Sequence, residues 1–597
     1  MPTYRAPVDD YRFLLTEVFD TARLTRYPGY EEVTPDLLVS VVQEAGVLCE
    51  SLLAPLNMRG DAEGCTWENG VVRTPQGFGE AFRQYGGGGW IGLSCDPAFG
   101  GQGLPVFLRY VVDEMVCGAN LSLAMYPGLT QGAFETIHRH ASEELKARYL
   151  PKMATGEWTA TMCLTEAHAG TDLGMIRTRA EPMDDGSAHI SGTKIFITAG
   201  EHDLSENIVH LVLARLPDAP AGSRGISMFL VPKRLPHADG TLGAPNGVTC
   251  GSIEHKMGIR GSATCVMNFD GAKGWLVGEP HKGLKAMFTM MNGARLGVGL
   301  QGLGLADASY HGAVAYARER LQGRSLSGVK NPSGPADPII EHADIRRGLL
   351  FMRAFIEGAR ALSVFCSLHL DEEERNPDAA SREAAADVVA LLTPVIKAFF
   401  TDLGFECTNI GLQTLGGHGY IRESGMEQFV RDARIGMIYE GTNHVQALDL
   451  VGRKLPEGGG RLLQRYAKIV GDEIEQARSV PEVAEFAATL GGAAKQLQEV
   501  TMTLGMRAMQ NGDEAGAGAS EYLRIFGLVA LGHMWLRAAR VAVQRKAAGG
   551  AFDASFYDTK LALARYYFAR MMPACMSLAA SVKAGAGPIL DFPKDRF

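Results

Sequence analysis

Paired cysteines are missing from this chain. Ten cysteines lie scattered among 597 residues, from Cys49 to Cys575, and no C-x-x-C pair occurs. Zinc-ribbon and thioredoxin-type chemistry are thereby excluded, no metal site is expected, and reduced, mostly buried thiols in a reducing compartment are the plain reading. A basic block is missing as well: 58 Lys and Arg face 67 Asp and Glu, for a net charge of −9. Nucleic acid is therefore a poor partner. Asp9 and Asp10 interrupt the start, where a signal peptide would need an apolar run, so a cytoplasmic protein is expected. No unbroken apolar stretch reads as long enough to cross a bilayer, and no membrane span is expected. No G-x-G-x-x-G follows a strand, so a Rossmann dinucleotide site is unsupported, and no repeat of fixed period is evident.

What is present is ordinary globular composition, 46% hydrophobic and 21% charged, with a surplus of 72 glycines that points to close packing or many turns. The length exceeds one core and predicts three or four domains. Apolar residues recur at helical spacing from about Tyr11 to Thr155, in segments such as 37–53 and 105–117. From Trp158 the texture turns to strands, at 176–183, 188–198, 208–216, 226–231 and 264–269, with residues 217–224 a loop. Helical spacing returns at 296–321 and at 384–405, the latter bent or broken at Pro394. A further helix is expected to begin near Glu440. The Pro456-Glu457-Gly458-Gly459-Gly460 linker precedes more helix at 486–509 and 520–546. The expected class is α+β, with a helical domain over 1–156, a β domain over 157–280, a helical bundle over 281–455 and an extra helical domain over 461–597.

Four stretches carry candidate chemistry. Met162-Cys163-Leu164-Thr165-Glu166, continuing to Gly170-Thr171, offers backbone N–H groups and hydroxyls to a polar cofactor edge. Lys194-Ile195-Phe196-Ile197-Thr198 sets an aromatic ring and a hydroxyl on one strand face. Gln413-Thr414-Leu415-Gly416-Gly417-His418-Gly419-Tyr420 allows a pyrophosphate or adenosine to approach the backbone closely. In Ile438-Tyr439-Glu440-Gly441-Thr442-Asn443-His444, burial would raise the Glu440 carboxyl and make it a better base toward a carbon acid. Taken singly, the first three read as a capped turn, a core aromatic in a strand and a helix end. For Glu440 the plain alternative is a helix-start glutamate held by backbone N–H groups.

In order and spacing, these stretches together with Ala317-Arg318-Glu319-Arg320 resemble the acyl-CoA dehydrogenases, over about residues 80–454. The resemblance implies an N-terminal helical domain, a β domain and a C-terminal four-helix domain, with FAD as cofactor and an acyl-CoA as substrate. It implies that Met162, Leu164, Thr165, Gly170 and Thr171 line the flavin and its ribityl chain, with Phe196 and Thr198 against the ring system. Phe196 stands where relatives often carry Trp. Arg320, with Gln322 beside it, is implied to reach the FAD pyrophosphate of a neighbouring subunit, and Gln413, Gly416 and Gly417 to hold the adenosine end across a dimer. Thr442 and His444 are implied at the diphosphate. Glu440 is implied as catalytic base, since the position used by a minority of relatives is Ala294, which cannot take a proton. Asn292, Arg295 and Gly441 are implied at the substrate. The bland reading of Arg295 is a solvated arginine at a helix start.

The opening run and the region after Gly460 are similar to the long bacterial branch of the family. That branch implies α,β-dehydrogenation to a trans-2-enoyl-CoA, electrons passing to electron-transfer flavoprotein, and a homodimer. Its members act on fatty acyl-CoA or on 3-methylmercaptopropionyl-CoA, a thioester of dimethylsulfoniopropionate catabolism. Two rivals share the resemblance: an acyl-CoA oxidase, and a DNA-associated flavoprotein of the alkylation-response branch. The acidic balance speaks against the second.

Overall fold

The structure is a computed structural model that describes residues 2–237 and 239–597. It divides into two compact units, each assembled from separate stretches of chain.

One unit comprises Leu48–Arg109 and Ala119–Gly297. After helical turns through Glu63 it forms a hairpin, β1 (Thr66–Glu68) and β2 (Val71–Arg73), that helical periodicity does not anticipate. Its main sheet contains β3 (Trp158–Cys163), β4 (Arg179–Pro182), β5 (Ala188–Thr198), β6 (Asn207–Arg215) and β7 (Ile226–Pro232). A two-stranded pair, β8 (Arg234–Pro236) and β9 (Leu242–Pro245), separates these from β10 (Val248–Ile253) and β11 (Thr264–Val277), which complete the main sheet. The order is β10-β11-β5-β4-β6-β3, and β7 bridges β11 and β6, so the pairing closes on itself. Among the described residues, only β3–β6 and β4–β6 pair in parallel.

β6 and β7 are buried on both faces, which explains their near-continuous apolar runs. Val212, Ala214, Phe229 and Val231 join one core with Ile190, Ile197 and Met267. Leu211, Leu213, Met228 and Leu230 face a second core with Phe134, Tyr149, Trp158 and Met290. The sequence reading places β5, β6 and β7 to within a residue or so. It starts the 176–183 strand too early, because the backbone N–H groups of Arg177 and Thr178 bond to the Glu166 carboxylate instead of a neighbouring strand, and it omits β3, β8, β9 and β10.

The other unit comprises residues up to Val47, Tyr110–Gly118 and Val298–Phe597, and is helical. Helices Ala343–Arg375 and Ala379–Thr414 lie side by side, and the second runs through Pro394 without a break. The expected interruption is absent there: Leu391, Leu392, Val395 and Ile396 are all buried, and packing on every side holds the turn that proline weakens. Part of the glycine surplus serves close approach. A Cβ on Gly404 would sit 2.4 Å from the Gly302 carbonyl oxygen, and one on Gly527 would strike the Phe399 ring. The last 36-residue helix, Asp513–Ala548, is the buried axis of the C-terminal region, with Trp535 donating to the Ala354 carbonyl at 2.8 Å.

Three helical stretches are long and apolar enough to cross a membrane by length and composition: Pro35–Glu63, Ala379–Thr414 and Asp513–Ala548. Single polar residues such as Asp402 hide this from a search for unbroken runs. The apolar windows of the last two are 78% and 89% buried within the protein; that of the first is 33% buried.

Candidate active site

The loop after β3 is pinned to β5. Ile195 N–H donates to the Thr165 carbonyl at 2.9 Å, and Lys194 Nζ donates to the Leu164 carbonyl at 3.0 Å and to Glu166 Oε1 at 2.9 Å. Glu166 also accepts from the backbone N–H groups of Arg177 and Thr178 and from the Thr178 hydroxyl. Burial pushes its carboxyl up, but the Lys194 charge and these donors outweigh burial and bring it down to about 2. Glu166 and Ala169 exchange backbone hydrogen bonds, closing a tight turn. Leu164 is buried, Met162 and Thr165 are half-buried, and Gly170 and Thr171 are exposed. The structure thus brings the first two motifs together.

Phe196 sits at a bulge. Cys265 pairs with Ile197 and Met267 with Lys194, so Val266 alone opposes Ile195 and Phe196. Phe196 takes φ = 58°, the left-handed region, at a cost of about 1–2 kcal/mol for a residue with a Cβ. Its ring is nonetheless 60% exposed. A strained backbone that turns a large aromatic toward solvent gains nothing from packing among the described residues, so the ring is open to a ligand. Thr198 is half-buried beside it, while Ile197 points into the core.

In the helical unit, Glu440 also takes a left-handed conformation, φ = 56°, followed by Gly441 at 84°. Two such residues cannot continue a helix, so the expected helix start near Glu440 moves to Asn443, with Thr442 as N-cap accepting from Val445 N–H at 3.3 Å. The buried Gln446 amide donates to the carbonyls of Glu440 (3.1 Å) and Gly441 (3.4 Å). Lys397 Nζ donates to the Gly441 carbonyl at 2.7 Å and to Asn443 Oδ1 at 2.8 Å. A Cβ on Gly441 would lie 2.5 Å from the Gln446 amide nitrogen, so only glycine fits. The Tyr439 hydroxyl donates to Gln301 Oε1. Glu440 itself is half-buried, less enclosed than expected.

The remaining candidates are mostly exposed. Gln413, Gly416 and Gly417 lie at an open helix end, where a Cβ on either glycine meets nothing within 4 Å. Arg320, at the end of helix Gly283–Glu319, is exposed and has no carboxylate partner among the described residues. Gln322 is exposed, its carbonyl accepting from His342. His444 is exposed and bonded to the Ser520 hydroxyl at 3.1 Å. Asn292 accepts from Arg295 at 3.4 Å, and the Arg295 guanidinium lies 5.8 Å from the Phe288 ring centre. Arg295 is half-buried in the interior of its helix, which begins at Gly283, so the reading of a solvated helix-start arginine does not hold.

Residues 66–157, 161–272 and 281–455 match the families described as "Acyl-CoA dehydrogenase, N-terminal domain", "middle domain" and "C-terminal domain". The chain belongs to the acyl-CoA dehydrogenase family. Residues 464–593 match "Acetyl-CoA dehydrogenase C-terminal like", so this acyl-CoA dehydrogenase carries the additional C-terminal domain. It is 42% identical to the 3-methylmercaptopropionyl-CoA dehydrogenase of Ruegeria pomeroyi, over 96% of this chain and 97% of that one. It is 34% identical to a butyryl-CoA dehydrogenase of Syntrophomonas wolfei, over 100% and 99%. The acyl-CoA dehydrogenase of Bacillus anthracis, solved with FAD, shares the fold with a TM-score of 0.75 at 21% identity, covering 96% of this chain and 91% of that one.

The enzyme is an FAD-dependent oxidoreductase, and its residues fit the cofactor. Phe196 offers an uncovered ring face, and the hydroxyls of Thr165 and Thr198 have no partner among the described residues. Lys194, Glu166, Lys397 and Gln446 hold these segments; Lys194 and Glu166 lie within the first two motifs with no role read from them, and Lys397 lies outside all four. The readable signal was a charged residue inside an apolar run, Val395-Ile396-Lys397-Ala398-Phe399, where a lysine survives only with partners.

Proposed function

We propose that Glu440 is the base that removes the α-proton of an acyl-CoA thioester, that 3-methylmercaptopropionyl-CoA is the substrate, and that electron-transfer flavoprotein is the acceptor. The observation that carries the base assignment is the left-handed Glu440-Gly441 pair, strained and held from behind by Gln446 and Lys397. Ala294 leaves no carboxylate at the alternative position. The 42% identity along nearly the full length of both chains supports the sulfur-containing substrate.

In this reading the Glu440 backbone N–H donates to the thioester carbonyl, acidifying the α-carbon. The Glu440 carboxylate takes the α-proton, and Gly441 keeps the approach free of a side chain. FAD supplies the acceptor for the β-hydride. Leu164, Thr165, Phe196 and Thr198 position the ring system, with Met162, Gly170 and Thr171 along the ribityl side. Arg320, Gln322, Gln413, Gly416, Gly417, Thr442 and His444 serve the nucleotide end, within a cytoplasmic homodimer. Asn292 and Arg295 serve the CoA portion.

Purified enzyme mixed with butyryl-, octanoyl-, palmitoyl- and 3-methylmercaptopropionyl-CoA tests this, with flavin bleaching and an artificial electron acceptor as readouts. Fastest turnover on the sulfur thioester supports the assignment. A preference for butyryl-CoA instead places the enzyme with the Syntrophomonas wolfei relative. Rapid reoxidation of the bleached enzyme in air, with peroxide release, would make it an oxidase.

A further inference from the structure

The Ala379–Thr414 helix carries a lysine in its most buried stretch. Val395, Ile396, Ala398, Phe399 and Phe400 are buried around Lys397, which is itself fully buried. A buried ammonium is costly and persists only where its donors are spent on well-placed acceptors. Two of those acceptors are the Gly441 carbonyl at 2.7 Å and Asn443 Oδ1 at 2.8 Å. The Asn443 amide passes the interaction on, donating to Asp402 Oδ1 at 2.6 Å, to the Thr401 hydroxyl at 3.0 Å and to the Ala398 carbonyl at 3.2 Å. Lys397 and Asp402 are thus joined through one amide, and the amide belongs to the first residue of the helix that follows Glu440.

The two carbonyls on the C-terminal side of the strained pair are therefore both held, that of Glu440 by Gln446 and that of Gly441 by Gln446 and Lys397. The helix start already has a cap in Thr442, so it does not need Lys397 to terminate it. What Lys397 adds is a charge-assisted bond to the Gly441–Thr442 peptide, one residue beyond Glu440. We propose that Lys397 is a positioning residue for proton abstraction: its ammonium locks the Gly441 carbonyl and so holds Glu440 in its left-handed, reaction-ready conformation. This rests on Glu440 being the base.

Lys397→Met removes the charge at similar volume, and Lys397→Gln keeps one donor. Each is compared with the wild type and with Glu440→Gln in anaerobic rapid mixing with 3-methylmercaptopropionyl-CoA and with butyryl-CoA. Amide exchange of residues 438–446 is followed in protein with and without FAD. The expected result for Lys397→Met is a flavin-bleaching rate lower by about 10- to 100-fold, with KM changed by less than about threefold. Amide exchange over 438–446 should be faster in both FAD states. Lys397→Gln should fall between the two, and it carries the test if the methionine variant does not fold. Bleaching within about twofold of wild type, or unchanged exchange over 438–446, overturns the proposal. A variant that loses thermal stability but keeps its bleaching rate overturns it too, since Lys397 would then be structural only. If Glu440→Gln still bleaches, the base assignment itself fails, whatever the Lys397 variants do.

Discussion

Lys194, fully buried on β5, donates at 2.9 Å to Glu166, the carboxylate that organises the loop after β3. One ion pair thereby ties the loop after β3 to the strand that carries Phe196 and Thr198. Lys194→Met leaves a carboxylate in a low-dielectric site without its cation. The expected cost is about 3–5 kcal/mol in urea unfolding, with weaker FAD retention on gel filtration. The sign of the pH dependence follows from Glu166. Its folded carboxyl titrates at about 2 against an ordinary 4.5, so the stabilisation is complete above 4.5 and is lost as pH falls toward 2. In the variant that acid-dependent loss should shrink. An unfolding curve with the same acid slope as wild type would mean that other carboxylates dominate acid denaturation.

Phe196 separates stability from function. Its left-handed backbone is a conformation glycine adopts freely, and its exposed ring contributes little burial within the chain. Phe196→Gly should therefore leave the unfolding free energy of the FAD-free protein unchanged or raise it by up to about 1 kcal/mol. The same change should weaken FAD binding and shift the flavin absorption bands. Phe196→Trp should keep both near wild type. A destabilised glycine variant with normal flavin binding would assign the ring to folding instead.

How far the sequence reached differs between the two units for a physical reason. β5, β6 and β7 are long, apolar and bounded by turn residues, so their periods survive inspection. β10 has Gly251 at a register shift and an irregular burial pattern, and it carries no period to read. Helices 283–319, 379–414 and 513–548 are each visible in the sequence but read too short; the first turns of the last, Asp513-Glu514-Ala515-Gly516-Ala517-Gly518-Ala519, hold small residues that carry no apolar stripe. The site residues were legible as motifs, whereas the residues behind them were not. Lys194, Lys397 and Gln446 act across turns and helices that no local pattern connects. The left-handed conformations of Phe196 and Glu440 are set by tertiary packing, since neither residue type favours them.

Arg320 is exposed, and among the described residues it meets no carboxylate. Its removal should thus cost nothing within one chain. Arg320→Ala is expected to stay within about 0.5 kcal/mol of wild type in unfolding of the FAD-free protein. If it reaches a pyrophosphate on a second copy, FAD affinity should fall roughly 10-fold or more, as expected for a lost charge-assisted bond. The loss should be screened by added salt. Sedimentation of the same samples measures whether a homodimer forms at all. Unchanged FAD affinity would count against the cross-subunit contact.

The C-terminal region is locked to the N-terminal helix by buried charge. Lys560, on helix Ala554–Tyr566, donates to Asp10 and, at 2.6 Å, to Glu357. Arg360 donates to the other Asp10 oxygen at 2.6 Å and to Glu114 at 2.6 Å, with Asp307 at 3.4 Å. Burial pushes the Asp10 carboxyl up, yet Lys560 and Arg360 together bring it below its ordinary 3.8. Lys560→Met leaves Asp10 and Glu357 facing each other with one fewer cation, and should cost about 3–5 kcal/mol at pH 7. With that cation gone, Arg360 alone opposes burial, and the Asp10 carboxyl is expected to rise. A group raised in this way is penalised at high pH and relieved as pH falls through its folded value. The stability deficit should accordingly shrink between pH 7 and about pH 4, and Asp10→Asn in the same chain should recover part of it. Urea unfolding at the two pH values decides the matter. A deficit that does not change with pH would mean that Lys560 acts through its ammonium over the Phe13 and Phe556 rings, whose centres lie 5.3 and 5.1 Å from Nζ.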